Sequence, residues 1–167
     1  MWTSLYPSAK YIRPILANLE SLIRANEVEA LAWANEGQSM PPFKEYRKAL
    51  WYNTIWPIIS IVGESTQKVG KGDEVLPQTH SVLIEIEDAG PDPDTLFETV
   101  TRRVQAIDMI ITSANPNVLK IGMVPERIAI NDLWVTEHRY AQFSRGNPPS
   151  IYLQAGDLIV NIETIEG

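Results

Sequence analysis

An α+β fold, built on a mixed, mainly antiparallel sheet of about four to five strands flanked by helices, is what this sequence predicts, and three observations predict it. Residues 8–35 and the segment from Leu96 to Ile111 carry apolar side chains at intervals of three and four, the period of a helix with one buried face. The segments WPIISIV, HSVLIEIE and DLIVNIETI are rich in β-branched residues, and the last two alternate along their length as strands do. Beyond Pro116 the chain reads as strands and turns to its end.

In chain order, Ile12, Ile15, Leu16, Leu19, Leu22 and Ile23 make the first helix amphipathic, with Leu31 and Trp33 extending it. Pro14 is placed in its first turn and Gly37 at the left-handed position that closes it. After the break at SMPPF, the stretch FKEYRKALWYNT reads as a second, shorter helix or an aromatic-rich turn. WPIISIV is the first strand, its proline at the entry where no ladder hydrogen bond is lost. The 17 residues GESTQKVGKGDEVLPQT follow as a glycine-bearing loop that orders against a partner.

HSVLIEIE is the second strand, with Val82, Ile84 and Ile86 on one face and Leu83, Glu85 and Glu87 on the other. The turn after it holds Asp88, Asp92 and Asp94. Asp92 precedes Pro93 as an N-cap would, and Asp94 falls where the helix dipole favours a carboxylate, so these two have structural work. The next helix shows Leu96, Phe97, Val100, Val104, Ile107, Ile110 and Ile111 as an apolar stripe, supports a Glu98–Arg102 pair, and stops at SANP. NVLKIGMVP, RIAIND, LWVTEHRYAQF and DLIVNIETI are the remaining strands, with SRGNPPS as a turn. One domain over residues 1–167 is expected, helical from about 8 to 55 and built of sheet and long helix from 56 onward.

Several functions are disfavoured by composition. Cysteine is absent, which removes disulfides, thiolate nucleophiles and cysteine-ligated metals. The net charge of -7 is uneven: residues 1–72 hold 8 basic against 6 acidic side chains, residues 73–167 hold 6 against 15. An acidic second half is a poor surface for DNA or anionic lipid, so neither specific nucleic-acid recognition nor membrane docking is expected. MWTSLYPSAKYIRP lacks the pattern of a signal peptide, no uncharged apolar run reaches membrane-spanning length, and a soluble intracellular protein is expected.

No catalytic, cofactor or metal site is predicted. Asp88, Asp92 and Asp94 miss the spacing of a calcium loop, and VGKGDE misses that of a phosphate loop because Gly72 follows Lys71. His80 and His138, the two histidines, lack a ligand partner at metal spacing, and no serine sits in a nucleophile elbow. What remains is a set of candidate interface residues. Lys68 and Lys71 belong to the long loop, and Trp134, Tyr140, Phe143 and Tyr152 fall near segment ends, as core caps or as interface anchors.

With WPIISIV, HSVLIEIEDAGPDPDTLFETVTRRVQAI and LIVNIETI in order, the chain resembles the tail terminator and related head–tail joining proteins of long-tailed bacteriophages. That resemblance implies a mixed sheet flanked by helices, subunits closing into a hexameric ring on the tail tube beside neck proteins, no catalysis, and residence in the cytoplasm during assembly and then in the virion. The longer first helical region and the Trp-rich LWYNTIW depart from the family pattern. Two other readings fit the same residues: a bacterial ligand-binding or adaptor module, and a metal-dependent hydrolase using Glu85, Glu87 and Asp88.

Overall fold

The structure is a computed structural model that describes residues 7–50, 55–68, 78–114, 128–145 and 151–166. Helix α1 spans Pro7–Ala34, with Pro14 inside it and not in its first turn. Ile15, Leu19, Leu22, Ile23, Ala30 and Leu31 form its buried stripe, each large side chain contributing about 1.5–3 kcal/mol by leaving water, whereas Trp33 is exposed. The helix closes through Glu36 and Gly37, both at positive φ, with Gly37 N donating to Ala32 O at 2.8 Å.

Within the segment read as a second helix or an aromatic-rich turn, Glu45–Arg47 forms strand β1, lying parallel to β2, and residues 51–54 of that segment lie outside the described residues. A tertiary contact decides this: the buried Glu27 carboxylate of α1 accepts Phe43 N at 2.5 Å and the Tyr46 hydroxyl at 2.8 Å, holding the segment extended beside the sheet. Strand β2 (Ile58–Lys68) follows the cis Trp56–Pro57 bond, and β3 covers Gln78–Gly90. Much of the expected long loop is therefore strand, since Gly63 and Ser65–Lys68 pair with residues of Gln78–Val82, and of that loop residues 69–77 lie outside the described residues. Helix α2 is Pro93–Ser113.

The segment NVLKIGMVP lies outside the described residues, while RIAIND and LWVTEHRYAQF join in one strand, β4 (Ile128–Arg145). Strand β5 runs from Ile151 to Glu166. The sheet order is β1-β2-β3-β5-β4, antiparallel except for β1 with β2. Register shifts leave Glu64 in β2 and Asn131 and Thr136 in β4 without a partner in the ladder.

Both helices pack on one face of the sheet, against Ile59, Ile61, Val82, Ile84, Ile86, Leu158, Val160 and Ile162. On β5 that face carries Gly156, where a Cβ would stand 2.6 Å from Val104 Cγ2 and 2.9 Å from Val100 Cγ1, so the missing side chain lets α2 approach the strand. Arg103 of α2 is 2% exposed and lies within this layer, its Nε 3.3 Å from Asp88 Oδ2 on β3 and its Nη1 2.7 Å from Pro41 O. Burial lowers its pKa and the Asp88 charge opposes that. Among the described residues no helix is long and apolar enough to cross a membrane.

Candidate functional site

Strand β4 is the outermost strand of the sheet, and among the described residues nothing pairs with its outer edge along 18 residues. Its inner edge pairs with β5 from Ile128↔Glu166 to Arg145↔Ile151, interrupted at Asn131 and Thr136. An open edge of this length presents backbone donors and acceptors to any strand that meets it. The side chains from Thr136 to Ser144 are all exposed.

The alternation of the strand sends its aromatic residues to opposite faces. Tyr140 stands opposite Gly156 on the helix side, and Trp134 and Phe143 point to the other side. Phe143 is 46% exposed and Trp134 37%. Tyr152 is half-buried against the core, so it packs more than it presents. Lys68 ends β2, and Lys71 lies outside the described residues. Among the four aromatics, then, Trp134 and Phe143 share one face of β4 while Tyr140 lies on the other and Tyr152 packs on the core.

A recess of about 410 Å³ opens where β4 passes the first turn of α2. Asp92 is the N-cap there, its carboxylate accepting Asp94 N at 3.3 Å and the Thr95 hydroxyl at 2.5 Å, and those hydrogen bonds lower its pKa. Asp94, Phe97, Tyr140 and Gln154 line the recess. The Phe97 and Tyr140 rings meet edge-on at 5.6 Å, and burial raises the Tyr140 hydroxyl pKa, with Asp108 adding to it. Gln142 Nε2 donates to Pro93 O at 3.1 Å and ties the strand to the helix start. Gln154, 1% exposed, donates to Ala141 O and Ala155 O, while its Oε1 has no hydrogen-bond partner.

Sequence reasoning missed two of these residues. Phe97 was counted in the apolar stripe but is 47% exposed, one position beyond the run Leu96, Val100, Val104 that fills the core. Gln154 lies in the part of β5 that precedes DLIVNIETI, and nothing in its neighbours signals burial.

The helix-free side carries an acidic row. Glu85 of β3 stands opposite Asp157 of β5, which stands opposite Arg139 of β4 with a 4.0 Å ion pair. Burial, then Asp157 and Glu87, push the Glu85 carboxyl up to about 7, and burial raises Asp157 as well. Glu87 accepts the Trp56 indole N–H at 2.8 Å. Asp88 faces the other way, into Arg103, so the three carboxylates suggested for a metal-dependent hydrolase do not converge. His80 is buried between the Thr66 and Thr164 hydroxyls at 2.9 and 3.1 Å, and burial lowers its pKa to about 4. His138 Nε2 lies 2.7 Å from Asp108.

No protein-family model matches this sequence, and no curated protein sequence matches it. Among solved structures the chain is similar in fold to one from the virion of a native gene transfer agent particle, with a TM-score of 0.54, 16% identity, and coverage of 91% of this chain and 94% of that chain.

Proposed function

We propose that this chain is a structural subunit of a phage-like particle, a ring-forming protein of the tail-terminator or head–tail joining kind, and not an enzyme. The observation that carries the reading is the likeness in fold, over nearly the whole of both chains, to a protein of the gene transfer agent virion. The shape of the sheet supports it. A joining subunit needs surface that another chain can complete, and the 18-residue open edge of β4 with Trp134, Tyr140 and Phe143 is such a surface.

In this reading the subunits close head to tail, which requires two unlike patches on each copy, and the two different edges of the sheet supply them. The ring has six subunits, as the family resemblance implies, with tail-tube and neck proteins as further partners, and it passes from the cytoplasm into the virion. Net charge -7 per subunit suits a lumen that lets DNA pass without holding it, because like charges repel. Light scattering over protein and salt concentration, with negative-stain images of the largest species, tests the reading. Closed rings that cap supplied tail tubes are the expected result. A strict monomer at high concentration and moderate salt, with tail tubes left bare, would move the assignment to an adaptor module.

A further inference from the structure

We propose that the recess between the first turn of α2 and strand β4 seats a cationic side chain from a second copy of this chain, supplied by the Arg13 and Lys48 side of that copy. The inference rests on the self-association reading above and names the contact that would carry it.

The chemistry of the recess selects the charge of its occupant. The start of α2 does not call for an anion, because the Asp92 carboxylate already accepts Asp94 N–H and its carbonyl accepts Leu96 N–H. What is left over is acceptor capacity. Gln154 Oε1 is buried without a donor, the Asp94 carboxylate is exposed at the rim, and the Phe97 and Tyr140 rings add π-faces. A guanidinium or ammonium group answers the two features that an incoming side chain reaches: a charge for the carboxylate, and a cation over an aromatic ring. The recess has no lysine or arginine of its own in its lining.

The opposite edge of the molecule holds what the recess lacks. Arg13 of α1 and Lys48, just past β1, share a depression of about 680 Å³ with Leu16 and Ala17. Both are exposed, and neither is ion-paired to a carboxylate among the described residues. α1 and α2 lie on the same side of the sheet, and β1 and β4 are its two outermost strands. Cations and acceptors therefore occupy one layer at opposite edges, the arrangement that head-to-tail repetition brings into register. Their charges are complementary, so the same contact disfavours head-to-head pairing.

Two charge-reversed variants and their mixture test this. Asp94→Lys alone, and the double variant Arg13→Glu with Lys48→Glu, should each raise the protein concentration at half-assembly by roughly tenfold or more, read by light scattering. Mixing the two variants recreates complementary charges at each junction and should bring assembly back to the wild-type concentration range. Thermal melts establish that each variant is folded; if Asp94→Lys does not fold, Asp94→Asn takes its place in the single-variant comparison only, and Asp94→Arg is used for the mixture. Wild-type protein that assembles while both variants assemble equally well would overturn the inference and leave the proposed function standing. Folded variants that fail singly and also fail when mixed would overturn it too. A wild-type chain that never assembles would remove the proposed function and this contact with it.

Discussion

The two edges of the sheet are opposites. On one side β1 is a three-residue strand, and its approach is fixed by the Glu27 carboxylate on Phe43 N and by Arg103 on Pro41 O. On the other, β4 runs for 18 residues and its outer edge is unpaired among the described residues. A short, tied-down edge strand is a common way to discourage further pairing, and a long open one invites it. The difference teaches that this sheet has a direction. A partner strand finds little to pair with at β1 and an open ladder edge at β4.

The largest effect on that contrast should come from Arg103→Met. The variant leaves Asp88 as a half-buried charge without its arginine and Pro41 O without that donor, and breaking the pair costs about 3 kcal/mol, the low end of the range for a fully buried pair. Urea unfolding should show it as a lower midpoint, and protease cleavage between residues 38 and 50 should quicken as the β1 side loosens. Unchanged stability would mean that Glu27 holds that edge without help.

Next in size is Gly156→Ala, which acts on the β4 side. Its Cβ would collide with Val100 and Val104, and overpacking of this kind costs about 1–3 kcal/mol. Thermal unfolding should report the loss, and Val104→Ala in the same chain should restore part of it.

A pH-dependent effect comes from Glu85, midway between the edges. Its carboxyl is raised from an ordinary value of 4.5 to about 7, so the folded state binds the proton more tightly than the unfolded chain does. Stability from this group is intact below pH 4.5 and is lost as pH rises towards 7. Glu85→Gln should therefore gain on the wild type as pH is taken from 4.5 to 8, seen as diverging urea midpoints. Parallel curves would show that the neighbouring Asp157 takes up the proton instead.

The smallest stability change is expected from Phe143→Lys, whose side chain is already exposed: within about 0.5 kcal/mol of wild type by urea unfolding. Its effect on assembly should be large, because a lysine on the edge strand is a standard deterrent to strand pairing. Assembly as strong as wild type would show that β4 is not the growing edge.

Elements with a strong local period were legible in the sequence. Asp92-Pro93-Asp94 marks the start of α2 because cap and proline act within a few residues, and Val82, Ile84 and Ile86 mark the core face of β3 because burial on one side imposes alternation. Elements whose form is imposed from a distance were not. β1 exists because Glu27, sixteen residues before Phe43, holds its approach. The polar end of β2, Glu64 to Lys68, has no apolar alternation to read, yet it is a strand because Gln78 to Ser81 pair with it. β4 looked like two strands because unpaired Asn131 and Thr136 break its alternation. Arg103 stands at the 3–4 spacing of Leu96, Val100 and Ile107, a signal of burial that its charge concealed. The recess was illegible for another reason: it joins Asp94 to Gln154 across sixty positions of chain, and no local pattern spans that distance.

The three unpaired residues also bear on descent. Glu64, Asn131 and Thr136 each sit in a ladder that continues on both sides, with Gly63↔Val82 followed by Ser65↔Ser81, Ile130↔Thr164 by Asp132↔Glu163, and Val135↔Val160 by Glu137↔Ile159. Losing one of them closes the ladder and leaves every later pair in place, whereas losing a residue elsewhere in a strand moves all that follows to the wrong face. Lineages that share this sheet can therefore gain or lose single residues at these three points while substitutions erode the rest, so homologous chains would align in space long after their sequences stopped aligning by letter.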